Sequence, residues 1–490
     1  MNPETVDRLA HARGGGTADA ASEPAPLAGT SPQAPPPRPA ARARGGRLTR
    51  ALGSLDAGQR TAVRDSWRAL WRSRLLVWVA GAGTVATLGF GPTRKALDPP
   101  GLTRGLGSLG DILAAPAARW DGAWYLVIAH YGYRPDLGAF TASRTAFFPL
   151  YPLGVRAISW LGTPPVLGGV LLSIAALALA LYGVHRLTTL ELGAAARRAG
   201  RPALSSDAAR LAVMVTAFAP MAFFFSAVYT ESLYLALSVA LFWSARNGRW
   251  AWVGVLGALA AATRSTGAVL LVPAVMIYLY GPREDRPPDR PPAARGRLRP
   301  RYRVRPDALW LALVPAGVFA YCCFLGLAGG DALAPFHAQN VWGRHFAGPF
   351  LGIWDGLRAA FDGARQLLSM QRHHVYFQQG RGAPFVDAGH NLVLLAFLLA
   401  AVPAFIGVLR RLPAAYGVYV LAALALPLSY PVSSQPLMSL PRFLVVIFPL
   451  AIAFGAWLSE HPRSQRPVLV VSAVAMAVFA AQFATWHWVA

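Results

Sequence analysis

From Leu75 to the C-terminus, apolar runs of roughly membrane-crossing length alternate with polar connections, and this alternation dominates the sequence. A helix crosses about 30 Å of hydrocarbon with roughly 20 apolar residues. Runs near that length occupy 75–91, 166–182, 211–228, 233–244, 250–262, 267–280, 308–327, 392–409, 414–428, 443–458 and 468–484. They predict an all-α fold: a polytopic transmembrane helix bundle of about eleven spans. Two connections are long, 92–165 and 328–391, and long connections in compact proteins are usually functional. Both are expected to carry short interfacial helices.

Ahead of the first run the pattern changes. Residues 1–53 are rich in Ala, Pro, Gly and Arg without hydrophobic periodicity, as in PPPRPAARARGGR, which predicts a disordered tail. Residues 54–74 predict a helix on the membrane surface, with Trp67 and Trp71 at interfacial depth. The membrane domain then fills 75–490, its first span doubling as an uncleaved signal anchor.

Composition sharpens this picture. Hydrophobic residues make up 55% of the 490 and charged residues only 14%, too few to cover a soluble protein of this size. The formal net charge of +24 is almost all arginine, with Lys95 the only lysine. Such a balance can signal nucleic-acid binding. Here the arginines sit in tails and short connections, and no basic and aromatic surface accompanies them, so nucleic acid is set aside as a partner. Cys322 and Cys323 are adjacent within an apolar run, which gives neither metal-ligand spacing nor a disulfide framework.

Charge also predicts orientation. Arg60, Arg64, Arg68, Arg72 and Arg74 precede the first span; further clusters are Arg186 to Arg210, Arg246/Arg249, Arg283 to Arg305, Arg410/Arg411 and Arg463/Arg466. Counting spans, all fall on the side of the N-terminus, which the positive-inside rule makes cytoplasmic. The loop 281–307 then reads as a solvated cytoplasmic tether. The loops 92–165 and 328–391, the turns around Tyr229–Ser232 and Thr263–Thr266, and 429–442 become extracytoplasmic, in a plasma membrane.

The residues able to carry chemistry gather on that outer side. Asp121, in Arg119-Trp120-Asp121-Gly122-Ala123-Trp124-Tyr125, is a carboxylate among aromatics at the membrane boundary, suited to take a proton from a hydroxyl. From spacing alone it reads first as a helix cap. Thr145-Ala146-Phe147-Phe148-Pro149-Leu150-Tyr151-Pro152 reads as an aromatic belt, or as a platform for a lipid tail or sugar ring. Glu231, after Phe224-Phe225-Ser226-Ala227-Val228-Tyr229-Thr230, is an ionisable residue at membrane depth, functional by default or merely wet at a turn. Arg264 and Arg442 run against the positive-inside trend; they suit an anionic headgroup, or snorkel to the interface. Gly105-x-Gly107-x-x-Gly110 lacks the strand of a dinucleotide site, Trp354-Asp355-Gly356 repeats the earlier tripeptide without its sequel, and His373-His374 has no companion metal ligands.

These blocks, taken in order, resemble the PIG-V-like mannosyltransferases, membrane glycosyltransferases of the GT-C fold. The resemblance rests on Trp120-Asp121-Gly122 with Ile128-Ala129 and Gly132-Tyr133, then Phe147 to Pro152, Phe224 to Ser232, Ala262 to Gly267, and Pro441-Arg442-Phe443. It implies transfer of mannose from a polyprenyl-phosphate-linked donor to a glycolipid or other acceptor at the extracytoplasmic face, with the essential acid falling on Asp121. Beside the residues, it suggests one inverting step with Asp121 as general base. Arg264 or Arg442 would stabilise the departing phosphate, and Glu231 would orient a sugar or hold an arginine. Trp120, Trp124, Tyr125, Phe148, Tyr151 and Tyr229 are the expected substrate-contacting aromatics. A lipid phosphate leaves readily, so the chemistry requires no metal or other cofactor. The arginine-rich, lysine-poor composition points to a GC-rich bacterium and its cell envelope. Arabinose or glucose is the nearest alternative sugar, and a transporter or lipid flippase the alternative class.

Overall fold

The computed structural model describes residues 55–91, 101–103, 106–133, 144–198, 200–291, 299–376 and 383–489, and they belong to one compact unit. The expected disordered tail, 1–53, lies outside them. Among the described residues the fold is helical; the one β pairing is an isolated bridge between Arg344 and Val432.

The helices do not map one to one onto the eleven apolar runs. Among the described residues three are long and apolar enough to cross a membrane, namely Pro165–Arg198, Pro384–Arg411 and Pro462–Ala484. A fourth arises if Pro306–Leu313 and Ala316–Gly329, bent by 47° across Pro315, form one span. Trp250–Thr263, Ala414–Leu428 and Phe448–Glu460 are apolar but shorter. Proline explains two of the differences. The run 211–228 is helical only to Phe218, because Pro220 disfavours helix at the residue before it; the chain resumes as a 3-10 turn over Ala222–Ser226. The run 443–458 divides into Leu440–Val445 and Phe448–Glu460, each with a proline in its first turn.

Other elements run longer than their apolar pattern. Ala57–Leu88 is one 32-residue helix, so the segment expected on the membrane surface continues directly into the first apolar run. Asp56 opens it with a reciprocal capping box to Gln59. Long apolar side chains face outward along these helices, including Leu88, Leu179, Phe319 and Val471, as a lipid-facing surface would present. Small residues let the helices approach: Gly183 meets Val239, Gly257 meets Val314, and Gly455 lies against the backbone of Ala212.

The described parts of the loop 281–307 are not a tether. The Arg283 guanidinium is buried 4.7 Å from the Trp250 ring centroid and 5.0 Å from that of Tyr302, and Arg301 and Tyr302 bond back to the Leu279 carbonyl. Stacked arginine and backbone pairing fold the segment onto the end of the preceding helix.

Arg74 also differs from expectation. Rather than lying outside the membrane domain, it is buried and donates to the Ala217 carbonyl at 3.0 Å, the Ala222 carbonyl at 2.7 Å and Ser226 Oγ at 3.0 Å. The break at Pro220 strips the last carbonyls of the Pro202–Phe218 helix of their partners, and a buried guanidinium replaces them. Arg74→Met should therefore destabilise the fold by about 3 kcal/mol, since it strands buried acceptors. Thermal unfolding of the detergent-purified variant would check this; an unchanged midpoint would reject the role.

Candidate active site

Four segments distant in sequence converge on one face, each held by its own local device. Trp120 takes a left-handed backbone (φ 54°), uncommon for a bulky residue, and turns the chain into the Asp121–Tyr131 helix. Its indole is wedged between Trp486 and Trp488, with ring centroids 5.7 and 5.3 Å away. Buried Arg119 donates to the Ala484 carbonyl at 3.1 Å, and its own carbonyl accepts from the Tyr229 hydroxyl at 3.1 Å. A backbone bond from Val228 to the Ala117 carbonyl completes the tie between this loop and the one leading to Glu231.

Glu231 is the first residue of the Glu231–Arg246 helix, where a carboxylate suits the positive end of the macrodipole. Arg264 sits at the break between the Trp250–Thr263 helix and the 3-10 turn Ser265–Leu270. Gly267 lies directly on the Ala260 backbone, where any side chain would collide. Arg442 lies on the short Leu440–Val445 helix, entered through Ser439 at φ 70°.

The four side chains form one chain of alternating charge. Arg442 Nη1 donates to Asp121 Oδ2 at 2.7 Å and Arg442 Nε lies 3.1 Å from Glu231 Oε1. Arg264 Nη1 lies 3.7 Å from that same Glu231 oxygen. Glu231 is only 1% exposed and is paired with the two guanidiniums. Burial alone would lower the Arg442 pKa; Glu231, then Asp121, outweigh it and hold the group well above its ordinary value. Aromatic faces insulate the chain: Phe443 lies 5.5 Å from the Arg442 guanidinium carbon and 5.2 Å from that of Arg264, and Tyr229 flanks Arg442 at 5.5 Å.

Asp121 does not cap its helix. The capping position belongs to Trp120, which makes no side-chain cap, and Asp121 spends Oδ2 on Arg442. Among the described residues no hydrogen bond reaches Oδ1.

A cavity of about 280 Å³ opens against this chain. Of the residues singled out from sequence, Asp121, Tyr125, Phe148, Arg264 and Arg442 line it. The others stand behind. Glu231 is buried under the arginines, Tyr229 lies beneath Arg442, Trp120 packs on the C-terminal tryptophans, and Trp124 stacks on Phe147 with centroids 5.8 Å apart. Tyr151 is fully buried, bonded to Ser173 and the Gly169 carbonyl. Burial, followed by the nearby Glu231 charge, raises the Tyr125 phenol well above its ordinary range, so it stays neutral.

Arg344, Trp342, Gln339, Tyr430 and Trp488 also line the cavity and escaped the sequence reading. Arg344 carries the signal that picked out Arg264 and Arg442, an arginine on the expected outer side, but Arg358 and Arg365 in the same loop share it. Asp355 is not among the lining residues, and His374 pairs with Asp387 at 3.2 Å. Among the described residues no three His, Cys, Asp or Glu side chains are grouped as metal ligands.

A family model described as mannosyltransferase (PIG-V) matches residues 92–279. Over that stretch, which includes Asp121, Glu231 and Arg264 but ends before Arg344 and Arg442, the chain carries the pattern of the family its motifs resemble. This match and the apolar helices together fit a membrane protein similar to that family over these residues. No curated protein and no solved structure matches the chain.

Removing the central cation should expose its dependence. Arg442→Met leaves two carboxylates facing each other in a largely buried site and should cost about 3–5 kcal/mol of stability, whereas Arg442→Met with Glu231→Met should recover much of that loss. Thermal unfolding of both variants checks the prediction; equal losses would show that Glu231 and Arg442 are not coupled.

Proposed function

We propose that the protein is a GT-C-type glycosyltransferase that moves mannose from a polyprenyl-phosphate-linked donor to a hydroxyl of a glycolipid or other acceptor. The observation that carries this reading is Asp121, at the wall of the cavity with one carboxylate oxygen fixed by Arg442 and the other without a hydrogen bond among the described residues. A general base must be oriented yet retain a free lone pair, and this geometry supplies both.

In the proposed step Asp121 Oδ1 takes the acceptor proton as the acceptor oxygen attacks the anomeric carbon from the face opposite the phosphate. The carbon–oxygen bond to phosphate breaks, the polyprenyl phosphate leaves with the electron pair, and the configuration inverts. Negative charge grows on the leaving group while a guanidinium-rich wall stands ready, so no reorganisation is needed as the charge develops. In this reading Tyr125 and Phe148, which line the cavity, meet the apolar side of the sugar. Glu231 holds Arg442 and Arg264 in place.

The two ends of the Glu231–Arg246 helix favour a membrane-spanning arrangement with the site on the outer face. Glu231 closes the cavity end. At the other, roughly 22 Å away at 1.5 Å per residue, Arg246 pairs with Glu191 at 2.6 Å and Glu284 at 3.1 Å, beside the basic connections assigned to the cytoplasm.

Asp121→Asn should keep the fold and lower transfer by about 10²- to 10⁴-fold. The assay supplies purified protein with radiolabelled polyprenyl-phosphate-mannose and a bacterial membrane lipid extract. Equal transfer by variant and wild type would remove Asp121 from the mechanism; transfer from an arabinosyl or glucosyl donor alone would change the sugar.

A further inference from the structure

The cavity has one arginine more than its carboxylates neutralise. Arg442 is shared between Asp121 and Glu231, and Arg264 leans on Glu231. Arg344 lines the same cavity, yet among the described residues it forms no ion pair. Its Nη1 donates to the Tyr430 carbonyl at 3.1 Å and Nη2 reaches the Met438 carbonyl at 3.4 Å; both acceptors are neutral. Among the described residues, three guanidiniums against two carboxylates leave the site with a single positive charge, the complement of a monoanion.

We propose that Arg344 binds the phosphodiester of the lipid-linked donor, with Arg442 acting as the positioning residue for Asp121. This rests on the transferase reading above. It reassigns the phosphate from Arg264 or Arg442 to Arg344, on three grounds. Arg442 cannot turn to a phosphate without abandoning two carboxylates, one of them buried. Arg344 gives up nothing, since its carbonyl bonds fix the guanidinium plane and leave its charge unspent. It also feels the field of this site: burial, then repulsion from Arg442, lowers its pKa to about 10, opposed by Asp121. An anion beside it would relieve that repulsion. Trp488 lines the same cavity with a buried indole N–H that has no partner among the described residues, offering a further donor.

The test measures binding rather than turnover. Purified wild type, Arg344→Gln and Arg344→Lys are titrated with farnesyl-phosphate-mannose, with farnesol, and with short-chain phosphatidylglycerol, a phosphodiester headgroup without the prenyl chain. Arg344→Gln should weaken farnesyl-phosphate-mannose about tenfold to a hundredfold, leave farnesol unchanged, and retain the wild-type unfolding midpoint; Arg344→Lys should fall between. Arg344→Lys keeps the charge, so it remains informative if Arg344→Gln loosens the Tyr430–Met438 segment. Wild-type affinity in both variants would overturn the assignment while leaving the transferase reading intact. So would an equal loss for farnesol, or a loss confined to phosphatidylglycerol, which would mark a phospholipid site. Failure of wild type to bind farnesyl-phosphate-mannose at all would overturn the donor reading and this proposal together.

Discussion

The site depends on Arg442 standing between Asp121 and Glu231. A guanidinium is one of few side chains that can hold two carboxylates at once through separate nitrogens, here Nη1 and Nε. The residues it joins are far apart in sequence, Arg442 and Asp121 by 321 positions. A buried ion pair contributes little net stability over an apolar replacement, but loss of one member leaves the other uncompensated. That asymmetry makes the arrangement selective: the loops carrying Asp121, Glu231 and Arg442 can come together only in a geometry that pairs all three.

Much of the surrounding structure reads as support for this constraint. The C-terminal tryptophans grip Trp120, Arg119 ties the Asp121 turn to the last long helix and to Tyr229, and Arg74 closes the frayed end of the Pro202–Phe218 helix. The backbone is held in left-handed conformations at Trp120 and Ser439, next to the helices that carry Asp121 and Arg442. Such residues cost of order 1–3 kcal/mol and persist only where neighbouring contacts over-determine them.

The same electrostatics connect fold to proposed chemistry. A carboxylate fixed by an arginine is held in one orientation, so a base built this way relies on its position. Burial beneath aromatic rings strengthens the charge interactions of Arg442 and Glu231. Arg344, without an ion pair among the described residues, gives the cavity a net charge suited to a singly charged ligand. At the far end of the Glu231–Arg246 helix, the Arg246 cluster serves structure instead, being closed off by Glu191, Glu284 and the Tyr416 hydroxyl.

Hydrophobic runs, arginine placement and local motifs made much of this legible in advance: the helical class, the apolar exterior, and four charged residues against the trend of their surroundings. Those features are local, because a transfer free energy or a misplaced charge can be read within one segment. Helix limits were less legible. Pro220 and Pro315 break apolar runs that hydropathy alone joins, and Ala57–Leu88 crosses a boundary that hydropathy alone draws. What only the tertiary structure decided is who pairs with whom. No spacing in the chain says that Arg442 reaches both Asp121 and Glu231, that Tyr151 and Trp124 stand behind the cavity rather than in it, or that Arg344 has no carboxylate partner among the described residues. Charge pairing is a property of distance in space, and in a bundle of crossing helices that distance is set by packing between segments hundreds of residues apart.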